Sequence, residues 1–528
     1  MSSLGLSCFG AQWIKWGLLV HPSVYLFSEI FGFGGAFTEA ASLQFQRLPH
    51  EKQEEVLKLY FDPRSGVVRT ALAVCPWDRA ISRLESYNFA EKVNDINLLE
   101  FDVDVTHDTK TMIPFIMRAL ELRPDIEIVS HALEPAGLDE AARRRLHPSM
   151  LGSVKPVGLQ DDMRATWALY FSKFITAYKS YGISFWGLTP QNEPEFAAPW
   201  EACAFDPGDG AERYMDGVEY PEHLTDTHFV NQNRFILSSE SCNCPGVAFG
   251  KDAWFRGLRY GHDILNDLNN YVVGWVDWNL LLDHSGGPNH KDNLCDAPII
   301  LTEDGDDFNI QPMFYFIQHF SKFIPVGSLR VKVQAAAHFE KPGDAQLYVG
   351  YQLSLDACDG SSRQMIHRTN DGKMQVTNTP FCVTMVLTQG QGQEIRLAEC
   401  KYTQQTWTFE QDTQRIRIDD LCLSLRFGST ENGIRVTADK CEEQVQPFQQ
   451  WTFNGEDGTM RSHASTSDQC MTTGYAFVQA TAFVTPENRK VLVVLNENTE
   501  PADFQVQVGD AMLDTTILPG AIRTYIWK

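Results

Sequence analysis

The sequence predicts an α/β fold of parallel strands joined to a β-rich module built from repeats. Three observations carry that prediction. Apolar runs of strand length alternate with helix-period segments from residue 31 to about residue 323. Two of the runs lead to a glutamate, Glu193 in the turn after one and Glu240 at the end of the other. From about Ser328 helix signals give way to short strands, turns and recurring Cys and Gln-x-Trp patterns. At 528 residues the chain is long enough for two to four domains.

Phe31-Gly-Phe-Gly-Gly-Ala-Phe-Thr-Glu39 reads as a first strand, followed by a helix over 48–60. It is no dinucleotide fingerprint, because the third glycine and the acidic partner are missing. Its glycines instead let bulky neighbours pack close. A strand near 67–74, a loop rich in Asn and Asp to His107, a helix over 108–122 and a strand over 125–130 follow. The Ala- and Arg-rich run 139–146 is helical in composition. In the helix predicted over 161–180, Trp167, Tyr170, Phe171, Phe174, Ile175 and Tyr178 fall on one face, which is a core face. Further strands are predicted over 183–188, 234–240 and 271–279, with helices over 252–270 and 311–323.

The run 183–188 ends at a Pro-flanked turn presenting Asn192 and Glu193 side by side. Arg234-Phe-Ile-Leu-Ser-Ser-Glu240 repeats the design. In a barrel of parallel strands the loops after the strands form the catalytic mouth. Either glutamate alone is most simply a helix cap or a surface acceptor. The pair supplies what a retaining glycosidase needs, one group to protonate the leaving oxygen and one to attack the sugar. The strand over 271–279 ends in Asp277, Trp278 and Asn279. Such a group makes either a packed core or a sugar platform, with the ring on the apolar face of a pyranose.

A net charge of −24 argues against a nucleic-acid partner, which needs clustered Lys and Arg. Trp16 to Val20 is apolar but too short to span a membrane, and the first thirty residues lack the basic start and cleavage site of a signal peptide. Of twelve cysteines, six fall between Cys358 and Cys470, which predicts disulfides and an oxidising compartment. Cys242-Asn-Cys244 is too tightly spaced for zinc. Units with a period near forty residues run from Phe381-Cys382 through Cys400 to Gln405-Thr-Trp407, and from Cys422 through Cys441 to Gln449-Gln-Trp451. Each is expected to close a loop by a disulfide, Cys382 with Cys400 and Cys422 with Cys441, and to give a Trp to a shared core. Cys358 with Gln364-Met-Ile366 reads as a weaker early copy, and Gln469-Cys470-Met471 as a truncated late one.

These stretches resemble the glucosylceramidases of glycoside hydrolase family 30. The resemblance rests on Gly32-Phe-Gly-Gly-Ala-Phe-Thr38, Trp186-Gly-Leu-Thr-Pro-Gln-Asn-Glu-Pro194, Leu237-Ser-Ser-Glu-Ser-Cys242, Gly274-Trp-Val-Asp-Trp-Asn279, Ser285-Gly-Gly-Pro-Asn289, Gln311-Pro-Met-Phe-Tyr315 and the final Tyr-Ile-Trp527. The repeats resemble a ricin-type β-trefoil lectin. The resemblance implies a (β/α)8 barrel over 31–327, a side β-domain over 328–332 and 476–528, and a trefoil inserted over 333–475. It implies a retaining β-glycosidase acting on glucosylceramide-like glycolipids, with Glu193 as acid/base and Glu240 as nucleophile, and no metal or organic cofactor. Asn192 would hold the sugar 2-hydroxyl, and Asp277, Trp278 and Asn293 would line the glucose subsite. A glycan on the lectin, a saposin-like activator, a membrane surface and a lysosomal or secreted location follow by the same analogy. The rival reading is a carbohydrate-binding protein whose barrel is degenerate.

The chain departs from the family where the barrel should continue. Only 47 positions separate Glu193 from Glu240, too few for three crossovers of roughly 30 residues each. The family's His-x-Tyr is absent from Asp216-Gly-Val-Glu-Tyr220, and its Ser-Pro-Trp is replaced by Ser130-His-Ala-Leu-Glu134. The expected fold is therefore a barrel short by at least one strand-helix unit, incomplete or distorted near 130–150 and 203–232.

Overall fold

The computed structural model describes residues 16–20, 29–63, 71–77, 89–90, 92, 95–132, 163–190, 192, 221–244, 253–289, 293–331, 333–336, 345–346, 353–358, 360, 362–386, 393–430, 434–473, 475–476, 478–497, 501–508 and 511–528. The helix expected over 139–146 lies outside them.

The α/β region is built on one parallel sheet. Its strands are β2 (Gly32–Ala36), β3 (Ala71–Trp77), β4 (Glu127–Ala132), β5 (Phe185–Thr189), β6 (Ile236–Ser241) and β7 (Val272–Asn279), after a first strand β1 (Trp16–Val20) that lies elsewhere. The order is β5-β4-β3-β2-β7-β6, so the first strand pairs with the last region of the barrel, as in a sheet curling toward closure. Every pairing is parallel. β2 and β7 are buried along their whole lengths, as their unbroken apolar and glycine runs require. At Gly35 an added Cβ would meet Leu280 at 2.6 Å, so glycine here serves close packing.

Among the described residues the sheet holds six strands. Among them only the helix α5 (Pro221–Val230) lies between β5 and β6, and no backbone pairing joins those two strands. Of the stretch 203–232 where a shortfall is expected, 203–220 lie outside the described residues. Near 130 the strand β4 forms normally, and 133–162 lie outside the described residues. β5 and β6 approach each other through side chains: Trp186 and Phe235 lie 5.9 Å apart between ring centroids, and Phe31 touches both, at 5.7 and 5.0 Å. All three stand at the entry ends of their strands, so the sheet curls at its base, opposite the loop face.

The helices form the outer layer. They are α1 (Glu39–Arg47), α2 (His50–Phe61), α3 (Met112–Leu122), α4 (Arg164–Ser180), α6 (Ala253–Asn269) and α7 (Pro312–Ser321). Sequence periodicity misses α1. Its start is written in Thr38, whose hydroxyl accepts from Ala41 N at 3.0 Å and donates to Asn279 at 2.7 Å, tying the ends of β2 and β7. The α4 face is as expected, with Trp167, Tyr170, Phe174 and Tyr178 buried and Phe171 and Ile175 partly so. α6 and α7 pack closely because Gly257 and Gly261 leave room for Phe316; added Cβ atoms there would meet its ring at 2.7 and 2.8 Å.

Two sheets make the side β-domain, strands 329–331, 478–484, 490–496 and 521–527 in one and 333–336, 16–20, 502–508 and 511–517 in the other. The apolar run Trp16–Val20 is therefore a strand of this domain, parallel to 502–508. Val333–Ala336, placed by sequence at the start of the insertion, pairs with it and belongs to the same sheet. In the strand 490–496 alternation gives Leu492 and Val494 to the sandwich core and Val491, Val493 and Leu495 to the barrel core, which explains its continuous apolar run.

The repeats form the trefoil. Cys382–Cys400 and Cys422–Cys441 are bonded as expected. Trp407 and Trp451 are buried and donate to Val383 O at 3.1 Å and Leu423 O at 2.9 Å. The early and late copies are corrected by the structure: they are two halves of one unit. Cys470 bonds to Cys358, the pairing that completes the other units. Gln364 donates to Ala357 O, before Cys358, and to Thr472, two residues past Cys470. Gln449 makes the same pair of bonds to Lys440 O, before Cys441, and to Ser424, two past Cys422. The third unit is thus assembled from both ends of the insertion. Strands 353–357 and 469–473 run side by side, so the trefoil enters and leaves its host at one place.

Candidate active site

Parallel strands deliver their exits to one face, and the described site residues lie at or beyond the ends of β5, β6 and β7. His131 is level with Thr189, Ala36 with Asn279 and Ser241 with Asp277. Asn192 lies three residues beyond β5 and is half-buried. Glu193 lies outside the described residues.

The direction of each side chain follows from the pleat. Val276 and Trp278 pack with Ala36, Val129, Phe31 and Leu237 inside the curl of the sheet. Asp277, between them, faces the helix layer. There its Oδ1 accepts from the Tyr260 hydroxyl at 2.7 Å and from Trp278 N at 2.9 Å. The structure thus corrects the expectation that Asp277 lines the subsite: it supports Trp278 from behind, because adjacent strand residues point to opposite faces. Burial drives its carboxyl up to about 8, with Asp296 adding to the rise and the two hydrogen bonds opposing it. Burial likewise raises Tyr260 well above the ordinary phenol range.

β6 pairs irregularly with β7: Ile236 is level with Val272, Ser238 with Trp275 and Ser241 with Asp277, and the two shifts cancel over five steps on each strand. Ser241 donates to Asp263 of α6 at 3.3 Å, as does Trp275 at 2.8 Å, so both face outward. With Ser241 outward, the pleat sets its neighbour Glu240 toward the inner face, the side of Trp278.

Asn293 is half-buried in the loop that follows β7. This loop is folded on Asp283, which accepts from Ser285 N and Gly287 N at 2.9 Å each, and Asn289 accepts from Asn293 N at 3.1 Å. Sequence reading missed what ties the loop to β6, a disulfide between Cys244 and Cys295. The signal was two cysteines outside the repeats, each within four residues of a candidate site residue. Asp216–Tyr220 and Glu134 lie outside the described residues. Among the described residues no cluster suited to a metal ion occurs.

The glycosyl hydrolase family 30 TIM-barrel domain matches residues 30–199 and 196–324, the family's β-sandwich domain 464–525, and the ricin-type β-trefoil lectin domain 386–491. The lysosomal acid glucosylceramidase of Mus musculus is 31% identical over 377 residues, 59% of this chain and 71% of that protein. Putative glucosylceramidase 3 of Caenorhabditis elegans is 32% identical over 429 residues, 68% of this chain and 78% of that protein. Among solved structures, SrfJ from Salmonella typhimurium superposes with a TM-score of 0.62 at 18% identity, covering 100% of this chain and 94% of its own, a likeness of fold. With its barrel domain matched over more than half its length, this chain belongs to glycosyl hydrolase family 30 and joins the family's barrel and β-sandwich to a ricin-type lectin domain.

Proposed function

We propose that the chain is a retaining β-glucosidase acting on glucosylceramide or a closely similar glycolipid in an acidic, lysosomal setting. The observation that carries this reading is the outward Ser241, bonded to Asp263, which sets the neighbouring Glu240 to the face that holds Trp278. The glucosylceramidases among its relatives supply the substrate class. Glu240 attacks the anomeric carbon while Glu193 protonates the departing oxygen; Glu193 then deprotonates the water that cleaves the glycosyl ester. That sequence requires the two carboxyl groups to stand about 5–5.5 Å apart. Asn192 holds the 2-hydroxyl, Trp278 covers the sugar face and Asn293 closes the subsite. The ceramide requires a lipid surface, where a saposin-like activator would act. The division of labour follows the boundaries 31–327, 328–332 with 476–528, and the intervening trefoil, extended by the strands 16–20 and 333–336 on the sandwich side.

Hydrolysis of a fluorogenic β-glucoside near pH 5, lost in Glu240→Gln and in Glu193→Gln, is the expected result. The rival reading is a lectin on a degenerate barrel. Glycan binding by the full chain with no turnover of any β-glycoside would establish that reading instead.

A further inference from the structure

Two stretches without strand or helix pairing, 242–244 after β6 and 293–298 before the strand 299–301, meet at the rim and are fastened three times. Cys244 and Cys295 are bonded, with Cα atoms 4.4 Å apart. Asp296 N donates to Asn243 O at 2.9 Å. The Arg256 guanidinium of α6 donates through Nε to Asp296 Oδ2 at 2.5 Å, both side chains being buried. Glu240 lies four residues before one end of the bridge and Asn293 two residues before the other.

We infer that Cys244–Cys295 and Arg256–Asp296 form a clamp that positions Asn293 over the strand end of Glu240, and so sets how tightly the sugar is held. This inference rests on the functional reading above. Neither stretch belongs to a ladder that would fix its place, so these fastenings define where the loop sits relative to β6. The buried ion pair adds register to the covalent tie, because Asp296 satisfies Arg256 only in one loop position. Cys244, Cys295, Arg256 and Asp296 are positioning residues; none need touch substrate. Asn243, whose side chain donates to Met313 Sδ at 3.1 Å, anchors the same junction to α7.

The clamp acts on binding, and a cycle of variants separates that from loss of stability. In the full chain, Cys244→Ala/Cys295→Ala should raise KM for a fluorogenic β-glucoside and Kd for a glucose-configured iminosugar by about tenfold, with kcat changed less than about threefold. Asn293→Ala should do the same, and the triple variant should be no worse than Asn293→Ala alone. A bridge-free variant that melts earlier but keeps parental KM and Kd overturns the clamp, as do losses that multiply in the triple variant. If the bridge-free variant does not fold, Arg256→Lys, which keeps the buried charge and loses the directional bond, should show the same rise in KM; parental KM there overturns the inference. A parental chain that neither hydrolyses the glucoside nor binds the iminosugar overturns the functional reading itself.

Discussion

In the trefoil, the unit cut by the chain's entry and exit is rebuilt from its two ends and locked by Cys358–Cys470. In the barrel, among the described residues, the sheet ends at β5 and β6, which meet through the rings of Trp186, Phe235 and Phe31, the first two about half exposed at 43% and 53%. One module closes by covalent and backbone bonds, the other by side-chain contact. The trefoil is assembled from short units that each bring a disulfide, so losing continuity at one point is repaired locally. A parallel barrel has no such repair, because each missing strand leaves two unpaired backbone edges.

The largest expected effect tests the repaired closure. Cys358→Ser/Cys470→Ser releases a loop of 112 residues and should destabilise the trefoil by about 5 kcal/mol on a chain-entropy basis, against about 3 kcal/mol for Cys382→Ser/Cys400→Ser with its separation of 18. Equal midpoint shifts by calorimetry would mean that the split unit is held as well without its bridge. On the complete side of the barrel, Gly261→Val drives a side chain into Phe316 and should cost about 1–3 kcal/mol in chemical denaturation. No change would show that α6 and α7 have slack. At the β5–β6 side, Trp186→Ala or Phe235→Ala removes a partly exposed ring contact worth about 1 kcal/mol, yet turnover should fall more than stability, because the proposed mechanism needs the curl to hold β5 and β6 near each other. Parental activity in both variants would show that the sheet's curl does not depend on those rings.

The smallest effect is a slope. Asp277 is raised to about 8 by burial, so folding binds a proton that the unfolded chain, at about 3.8, has lost. Its contribution is fully present below the unfolded value and fades as pH rises through the folded one. Asp277→Asn should come closest to the parent below about pH 4 and gain on it progressively as pH rises to about 8. Parallel Tm curves across that range would contradict the neutral carboxyl.

Sequence foretold these two regions to different depths for physical reasons. The repeat's cysteine and Gln-x-Trp spacing is a local code, and two units follow it directly. The third stayed hidden because its halves lie more than a hundred positions apart, and only the fold brings Gln364 to Thr472. In the barrel, the strands over 185–189, 236–241 and 272–279 were legible from their apolar runs. The roles within Trp275-Val-Asp-Trp278 were not, since every residue of β7 is buried and only the pleat decides that Trp278 faces in and Asp277 out. The uneven pairing of β6 with β7 was equally invisible, being a property of two strands together. α1 was missed because its apolar stripe is short and its start depends on a cap.

Trapping the glycosyl ester tests the central claim most directly. The full chain, incubated with an activated 2-deoxy-2-fluoro-β-glucoside at acid pH and digested for mass spectrometry, should carry the fluoroglucosyl group on Glu240 and lose turnover in step with labelling. An active chain labelled on any other carboxylate, or a chain left unlabelled and inert, would contradict it.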